Sequence, residues 1–133
     1  MRSLREGTLS ISTSLKSTPR IDGVLFERLK DHVLGKDYEL SLVFVGKKFG
    51  RRLNKQHRGK DYATDILSFP NDTTFGEMFI HPDKARSKAK EFDRTFENYL
   101  KFIFIHGLFH LKGFDHGSTM EHEEARVRAL FNI

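Results

Sequence analysis

The segment from residue 96 to residue 116 constrains the fold more than any other part of this sequence. Over residues 96–112 the apolar side chains recur at helical spacing, which predicts a long amphipathic helix with one face in the core. Gly113 then ends the helix, because glycine adopts a positive φ at little cost. Three histidines lie around this helix end: His106, His110 and His116.

The spacing of these histidines predicts a metal site. His106 and His110 are four positions apart, so a helix places both imidazoles on one face, one turn apart. The turn at Gly113 lets His116 return to the same point. Three protein ligands with one open position are typical of catalytic zinc sites. We therefore predict one Zn²⁺ per chain, although Ni²⁺ or another divalent ion would also suit three imidazoles.

The same spacing occurs in the His-Glu-x-x-His-x-x-Gly-x-x-His motif of zinc proteases, which makes a metalloprotease one alternative. The glutamate of that motif is the general base, and Gly107 occupies its position here. Peptide hydrolysis is therefore disfavoured, whereas zinc can still activate water for another hydrolysis. Asp115 is the nearest carboxylate. We interpret it as orienting a ligand imidazole or bonding its own turn, in preference to acting as a general base.

Period-two and period-3.6 patterns divide the rest of the chain into strands and helices. We predict strands near residues 8–14, 38–45, 66–69 and 76–80, and further helices over residues 47–56, 82–92 and 119–131. Another helix is predicted to begin at Thr18 and Pro19 and to end at Gly35. Ser118 and Glu121 match a capping box at the start of the last helix, for which we expect Ala125, Leu130 and Phe131 to face inward.

This order of elements favours an α+β or mixed α/β fold. We expect a single mixed β-sheet of about four strands packed with about five helices. The first two strands are expected to be parallel and joined by a right-handed helical crossover. A chain of 133 residues fits one domain, residues 1–133.

Composition excludes several classes of protein. The chain has no cysteine, so disulfides, thiolate ligands and a cysteine nucleophile are excluded. The first residues lack the apolar stretch of a secretory signal, and no run of about 18 apolar residues occurs. We therefore expect a cytoplasmic protein that does not contact membranes.

A basic stretch over residues 47–60 suggests a polyanionic partner, because it contains no acidic residue and the whole chain carries a net charge of +5. The alternative is a solvated helix face. We expect Phe49 and Leu53 to face the core, and interpret a second cluster (Lys84, Arg86, Lys88 and Lys90) as solvated. The candidates for contact with RNA are Lys47, Lys48, Arg51, Arg52, Lys55, His57 and Lys60.

Three segments resemble a known family. Residues 106–116 are similar to the pattern His-Gly-x-x-His-Leu-x-Gly-Tyr-Asp-His of the YbeY family of bacterial endoribonucleases, or rRNA maturation factors, with Phe114 in place of tyrosine. Residues 53–70 resemble the family's Leu-Asn-x-x-x-Arg-x-x-Asp-x-x-Thr-Asp-Val-Leu-Ser-Phe block. Residues 76–80 are a looser version of its Gly-Asp-Ile strand, and the first 35 residues match no motif.

The resemblance implies an α+β fold with the three-histidine metal site in a cleft at the end of a long helix. It also implies zinc-dependent hydrolysis of single-stranded RNA in rRNA maturation and ribosome quality control. Arg58 and His116 are then the residues expected to take part in catalysis, and the partners are rRNA and the small ribosomal subunit or its proteins. The alternative from another class is a metal-containing ribosome-assembly protein that binds without cutting.

Overall fold

A mixed β-sheet organises the fold in the computed structural model, which describes residues 2–17 and 19–133. Its five strands lie in the order β1-β2-β3-β5-β4, with the three middle strands parallel and each outer strand antiparallel to its neighbour. The strands are β1 (Arg2–Glu6), β2 (Leu9–Thr13), β3 (Glu39–Phe44), β4 (Ile66–Pro70) and β5 (Phe75–Ile80).

The α+β class is confirmed, but the expected number of strands was one too low. Strand β1 was missed because residues 2–6 contain charged side chains and a single apolar one, so they show no period-two pattern. Backbone pairing holds β1 against β2, and Gly7 makes the tight turn between them with φ +58°. The predicted parallel pairing of β2 with β3 is confirmed.

Five helices surround the sheet in the part of the chain that the structure describes, and no helix there is long and apolar enough to cross a membrane. They are α1 (Gly23–Leu34), α2 (Lys47–Arg58), α3 (Pro82–Glu91), α4 (Phe96–Leu111) and α5 (Ser118–Phe131).

Two predicted helix starts need correction. The cap proposed at Thr18 lies outside the described residues, and α1 begins later, where the Asp22 carboxylate accepts the Leu25 N–H at 3.1 Å. The capping box at Ser118 is wrong. Gly117 precedes the first helical residue, and no side chain caps the start of α5. A φ of +158° at Gly117 directs the chain into α5 in a way that the pattern did not anticipate.

The core lies between one face of the sheet and helices α1 and α4. Phe26 of α1 and Phe104 of α4 stack with ring centroids 4.4 Å apart. The strands contribute alternate residues to this core, as their period of two requires. These residues are Leu9, Ile11, Leu40, Leu42, Phe44, Met78 and Ile80.

Helix α2 covers part of the opposite face of the sheet, next to β4 and β5. Phe49 contacts Phe79, which alternates with the core-facing residues of β5. The expectation that Phe49 faces the core was wrong, since 43% of it is exposed and Leu53 is only half-buried. The buried residues of α2 are instead Gly50 and Asn54, so this helix lies on the sheet by a side that carries little apolar surface.

Helix α4 approaches the sheet closely at Gly107. A Cβ atom at this position would lie 2.6 Å from Met78 Cε, 2.9 Å from Ile66 Cδ1 and 2.9 Å from Ser68 Oγ. Glycine at residue 107 therefore allows this close approach to β4 and β5, and a side chain there would require these three side-chain ends to move. This contact fixes the last two turns of α4, from which His106 and His110 project.

Candidate metal centre

Three imidazoles meet beside the C-terminal end of α4. His110 Nε2 lies 2.6 Å from His116 Nε2 and 3.1 Å from His106 Nε2. One ligand atom from each ring lies within 4.8 Å of the others, so these three residues could hold a metal ion. The convergence expected from the spacing is therefore present in the fold.

The backbone after α4 brings His116 to this point. Gly113 adopts φ +104°, a conformation that other residues rarely adopt. The Phe114 N–H donates to the carbonyl of Phe109 at 3.0 Å and closes the helix end. The predicted role of Gly113 as the residue that ends α4 agrees with this geometry.

Hydrogen bonds on the outer nitrogens set the protonation of two of the rings. His106 Nδ1 lies 2.9 Å from the Glu124 carboxylate, and His110 Nδ1 lies 3.2 Å from the carbonyl oxygen of Phe114. A carboxylate and a carbonyl oxygen only accept hydrogen bonds, so both Nδ1 atoms carry the proton and donate it. The Nε2 lone pairs are then free and directed at the shared point, which is the form that binds a metal.

Burial acts in the same direction at His110. The pKa of its imidazole is lowered, first by burial and then by the neighbouring His106 and His116 rings. A neutral ring is the state required of a metal ligand. Three imidazole donors with their Nε2 lone pairs directed at a common point therefore fit a divalent transition-metal ion.

The carboxylate that orients a ligand imidazole is Glu124, which the sequence analysis did not identify. Only 5% of Glu124 is exposed, and it lies on the buried side of α5 with Met120 and Val127. Ala125 and Leu130, which we expected to face inward, are both exposed, and 63% of Leu130 is accessible to solvent. A carboxylate at the i+4 position of an apolar stripe was the signal that could have revealed this role.

Asp115, the candidate named for that role, lies at the rim. Its side chain is exposed, and among the described residues the carboxylate bonded to a ligand histidine is Glu124. The chain leaves α4 through the glycine turn and presents Asp115 to solvent. Asp115 is next to His116 in the sequence, but it does not bond to a ligand ring.

The three histidines open into a cleft of about 1080 Å³. One face of α4 forms its floor, strand β4 one wall and helix α5 the other. The floor consists of Tyr99, Phe102, Ile103, His106 and His110. An apolar floor with a few polar groups is the usual character of a ligand site.

Arg58 lies at the lip of this cleft. It is the last residue of α2, and Gly59 turns the chain away from the helix with φ +68°. The side-chain amide of Asn54 donates to the carbonyl of Tyr62 at 2.8 Å and holds the following loop. Among the described residues, no carboxylate lies within salt-bridge distance of the Arg58 guanidinium, which leaves it available to an anion.

The basic stretch is divided by the fold. His57 lines the cleft, and its ring contacts Phe69 of β4 at a centroid distance of 4.7 Å. Arg51 forms a 2.7 Å ion pair with Asp61, the first acidic residue after the stretch. The remaining RNA-contact candidates are exposed and do not line the cleft: Lys47, Lys48, Arg52, Lys55 and Lys60.

Comparison with known proteins gives a consistent result. The family model described as "Endoribonuclease YbeY" matches residues 8–130. Endoribonuclease YbeY of Alkaliphilus metalliredigens is 45% identical over 103 residues, which cover 69% of this chain and 66% of that protein. The relative from Alkaliphilus oremlandii is 41% identical, with 67% of this chain and 63% of the relative covered. The aligned chain thus spans less than two thirds of the length of these two relatives.

Longer matches exist at lower identity. Endoribonuclease YbeY of Clostridioides difficile is 30% identical over 135 residues, covering 93% of this chain and 87% of the relative. A solution structure of a Thermotoga maritima protein superposes with a TM-score of 0.61 at 27% identity, covering 93% of this chain and 91% of that one. Since the family match extends through strands β2 to β5, the cleft and all three histidines, this chain belongs to the YbeY family.

Proposed function

We propose that this protein is a zinc-dependent endoribonuclease that cuts single-stranded RNA during rRNA maturation and ribosome quality control. The observation that carries the proposal is the set of three Nε2 atoms that meet in an open cleft. Membership of a family whose model is described as an endoribonuclease supports the reaction class. The expected partners are rRNA and the small ribosomal subunit or its proteins, and the expected compartment is the cytoplasm.

Zinc is the ion we expect, held by His106, His110 and His116. When bound, it would polarise a phosphodiester oxygen and promote attack on phosphorus. Glu124 holds the His106 ring so that its Nε2 lone pair stays aimed at the centre. Arg58 and His116 are the proposed catalytic residues.

The guanidinium of Arg58 suits the reacting phosphate. Its planar fork can donate two hydrogen bonds to phosphate oxygens, and it stays protonated. It would bind the extra negative charge that develops when phosphorus gains a fifth oxygen. Half-buried Phe69 and exposed Tyr62 line the cleft, and such rings favour unstacked bases over a duplex.

The metalloprotease alternative is disfavoured by the packing of α4. A protease of this motif needs a glutamate at position 107. A side chain there would require the side-chain ends of Met78, Ile66 and Ser68 to move, since each lies within 3 Å of an ideal Cβ position. Hydrolysis of a phosphodiester does not require a carboxylate at this position.

Metal analysis combined with RNA cleavage tests the proposal. Purified protein should contain one zinc ion per chain and cut an unstructured RNA, and a chelator should stop the cleavage. His116→Ala should abolish cleavage, and Arg58→Ala should slow it roughly 100-fold to 1000-fold, as loss of a charge-stabilising donor does. Lys36→Ala is the matched control, because Lys36 is an exposed cation outside the cleft and is not one of the RNA-contact candidates.

Two outcomes would overturn the proposal. Full cleavage by His116→Ala in highly purified protein would show that the nuclease activity is not its own. Metal-loaded wild type that binds rRNA and never cuts it would favour the ribosome-assembly alternative. End-group analysis of the products identifies the attacking group, since attack by the neighbouring 2′-hydroxyl leaves a 2′,3′-cyclic phosphate.

A further inference from the structure

The end of the cleft next to the first turns of α4 carries a second group of rings. Tyr99 precedes His106 by seven positions on α4, which corresponds to about 10 Å along the helix axis. Phe92 follows the last residue of α3, and its ring stacks on that of Tyr99 at 5.8 Å with an interplanar angle of 24°. Phe92 is 53% exposed, so part of this ring faces solvent inside the cleft.

The stack is held rigidly from below. Tyr99 is buried, and its hydroxyl donates to the Asp65 carboxylate at 2.6 Å. Phe102 contacts both rings, at centroid distances of 6.0 Å from Phe92 and 5.8 Å from Tyr99. A flat group placed on Phe92 would therefore meet a surface that needs little ordering on binding.

Cationic side chains surround the same rings. The Arg128 guanidinium of α5 lies 5.0 Å from the Phe102 ring centre and lines the cleft. Among the described residues, no carboxylate is within salt-bridge distance of it. Lys88 of α3 also lines this end, and its ammonium makes only a long 3.8 Å contact with Glu91. Lys88, which we interpreted as part of a solvated cluster, is partly exposed, and the structure places it at the edge of the cleft.

We propose that Phe92, Lys88 and Arg128 form a nucleotide subsite for the RNA strand, an inference that rests on the proposed function. A base stacks on the exposed side of Phe92 and continues the Phe92–Tyr99 stack. The phosphate next to that base binds Arg128, with Lys88 beside it. An aromatic ring flanked by cations is the combination that binds single-stranded nucleic acid.

The position of the subsite has a consequence for the cut. His57 contacts Phe69 near the end of β4, whereas Tyr99 bonds Asp65, which immediately precedes that strand. An RNA chain that extends from Arg58 to Phe92 therefore passes over the three histidines. RNA held on both sides of the metal centre is cut internally and not trimmed from an end.

Binding measurements separate the contribution of base stacking from the contribution of phosphate contacts. We would titrate zinc-loaded protein in an Arg58→Ala background, in which cleavage is expected to be slow, against a short fluorescent oligouridylate and against a base-free ribose-phosphate oligomer of equal length, following anisotropy. A denaturing gel confirms that each probe stays intact. Phe92→Leu should weaken oligouridylate binding roughly tenfold, the loss typical of one stacked base, and leave base-free binding unchanged.

Two further variants complete the design. Phe92→Tyr keeps the flat ring and should bind within about twofold of wild type. Arg128→Gln should lower the slope of log affinity against log salt by about 0.7, the value for one phosphate contact to a single strand. Leu130→Ala is the control, because Leu130 is an exposed apolar residue of α5 outside the cleft.

The outcomes distinguish this inference from the proposed function. Wild type that cuts RNA while Phe92→Leu binds both probes like wild type would overturn the subsite alone. Equal weakening of both probes by Phe92→Leu would also overturn it, because the loss would not depend on bases. Wild type that neither binds nor cuts RNA would overturn the proposed function and the subsite with it.

Discussion

At the scale of single residues, the hydrogen bonds behind the imidazoles prepare the metal centre. Glu124 and the Phe114 carbonyl accept from the Nδ1 atoms of His106 and His110. Without these acceptors each ring could place its proton on either nitrogen, and half of the arrangements would turn an N–H toward the metal. The buried carboxylate would therefore contribute to metal affinity without touching the ion.

Glu124→Gln should weaken zinc binding about tenfold or more, since loss of a carboxylate behind a ligand histidine typically costs 10-fold to 100-fold. Competition with a chromogenic chelator measures the change. Glu123→Gln is the control, because Glu123 pairs with Arg126 on the same helix. Equal zinc affinity of Glu124→Gln and wild type would contradict the role assigned to Glu124.

Gly107→Ala should lower the free energy of unfolding by about 2 kcal/mol. Overpacking against three side chains closer than van der Waals contact costs up to about 3 kcal/mol, and the better helix propensity of alanine returns about 1 kcal/mol. Urea unfolding measures the difference. Ser87→Ala, at an exposed position of α3, should stay within about 0.5 kcal/mol of wild type. A stabilised Gly107→Ala protein would show that α4 can move away from the sheet.

At the scale of elements, a buried lysine links α1 to the strands on either side of it. The Lys30 ammonium donates to the carbonyls of Gly35 and Tyr38 at 3.0 and 2.9 Å and to Thr8 Oγ1 at 2.5 Å. It also pairs with Asp31 at 2.6 Å, although none of its side chain is exposed. These bonds satisfy carbonyl groups where α1 passes into β3, and so they stabilise the parallel β2–β3 connection.

Lys30→Met should therefore lower the free energy of unfolding by about 3 kcal/mol, because it leaves buried acceptors and a carboxylate without their donor. Chemical denaturation measures the loss. Lys36→Met is the matched control, since Lys36 is exposed in the turn that follows α1. A loss below about 1 kcal/mol would mean that water replaces the ammonium.

The sequence predicted elements whose pattern is local and missed features that depend on distant partners. Helix α4, its glycine end and the strands β2 and β3 follow from periodicity and turn chemistry, and the spacing of the histidines anticipated their convergence. Strand β1 has no pattern of its own and exists because β2 offers a free edge. The contacts of Glu124 with His106 and of Phe92 with Tyr99 form only when α5 and α3 pack against α4.

At the scale of the whole molecule, the candidate metal centre joins three consecutive parts of the chain. His106 and His110 come from α4, His116 from the following turn, and Glu124 from α5. A ligand that binds only this assembled arrangement stabilises the folded state by mass action. Metal binding should therefore protect the C-terminal third of the chain as well as the cleft.

Removal of zinc should lower the melting temperature by about 10 °C relative to protein at 100 times the dissociation constant. Mass action gives about 2.7 kcal/mol at that concentration, and a chain of this size shifts by a few degrees per kcal/mol. Differential scanning calorimetry with and without a chelator measures the shift. Glu124→Gln should show a smaller shift at the same zinc concentration. An unchanged melting temperature of wild type after complete zinc removal would contradict metal binding by the folded state.

The bond from His110 to Phe114 uses the main chain of residue 114 and not its side chain. Every amino acid supplies that oxygen, so a change of residue at this position leaves the tautomer of His110 in place. The family pattern has tyrosine there and this chain has phenylalanine. Evolution can therefore exchange phenylalanine and tyrosine at position 114 without changing the tautomer of His110.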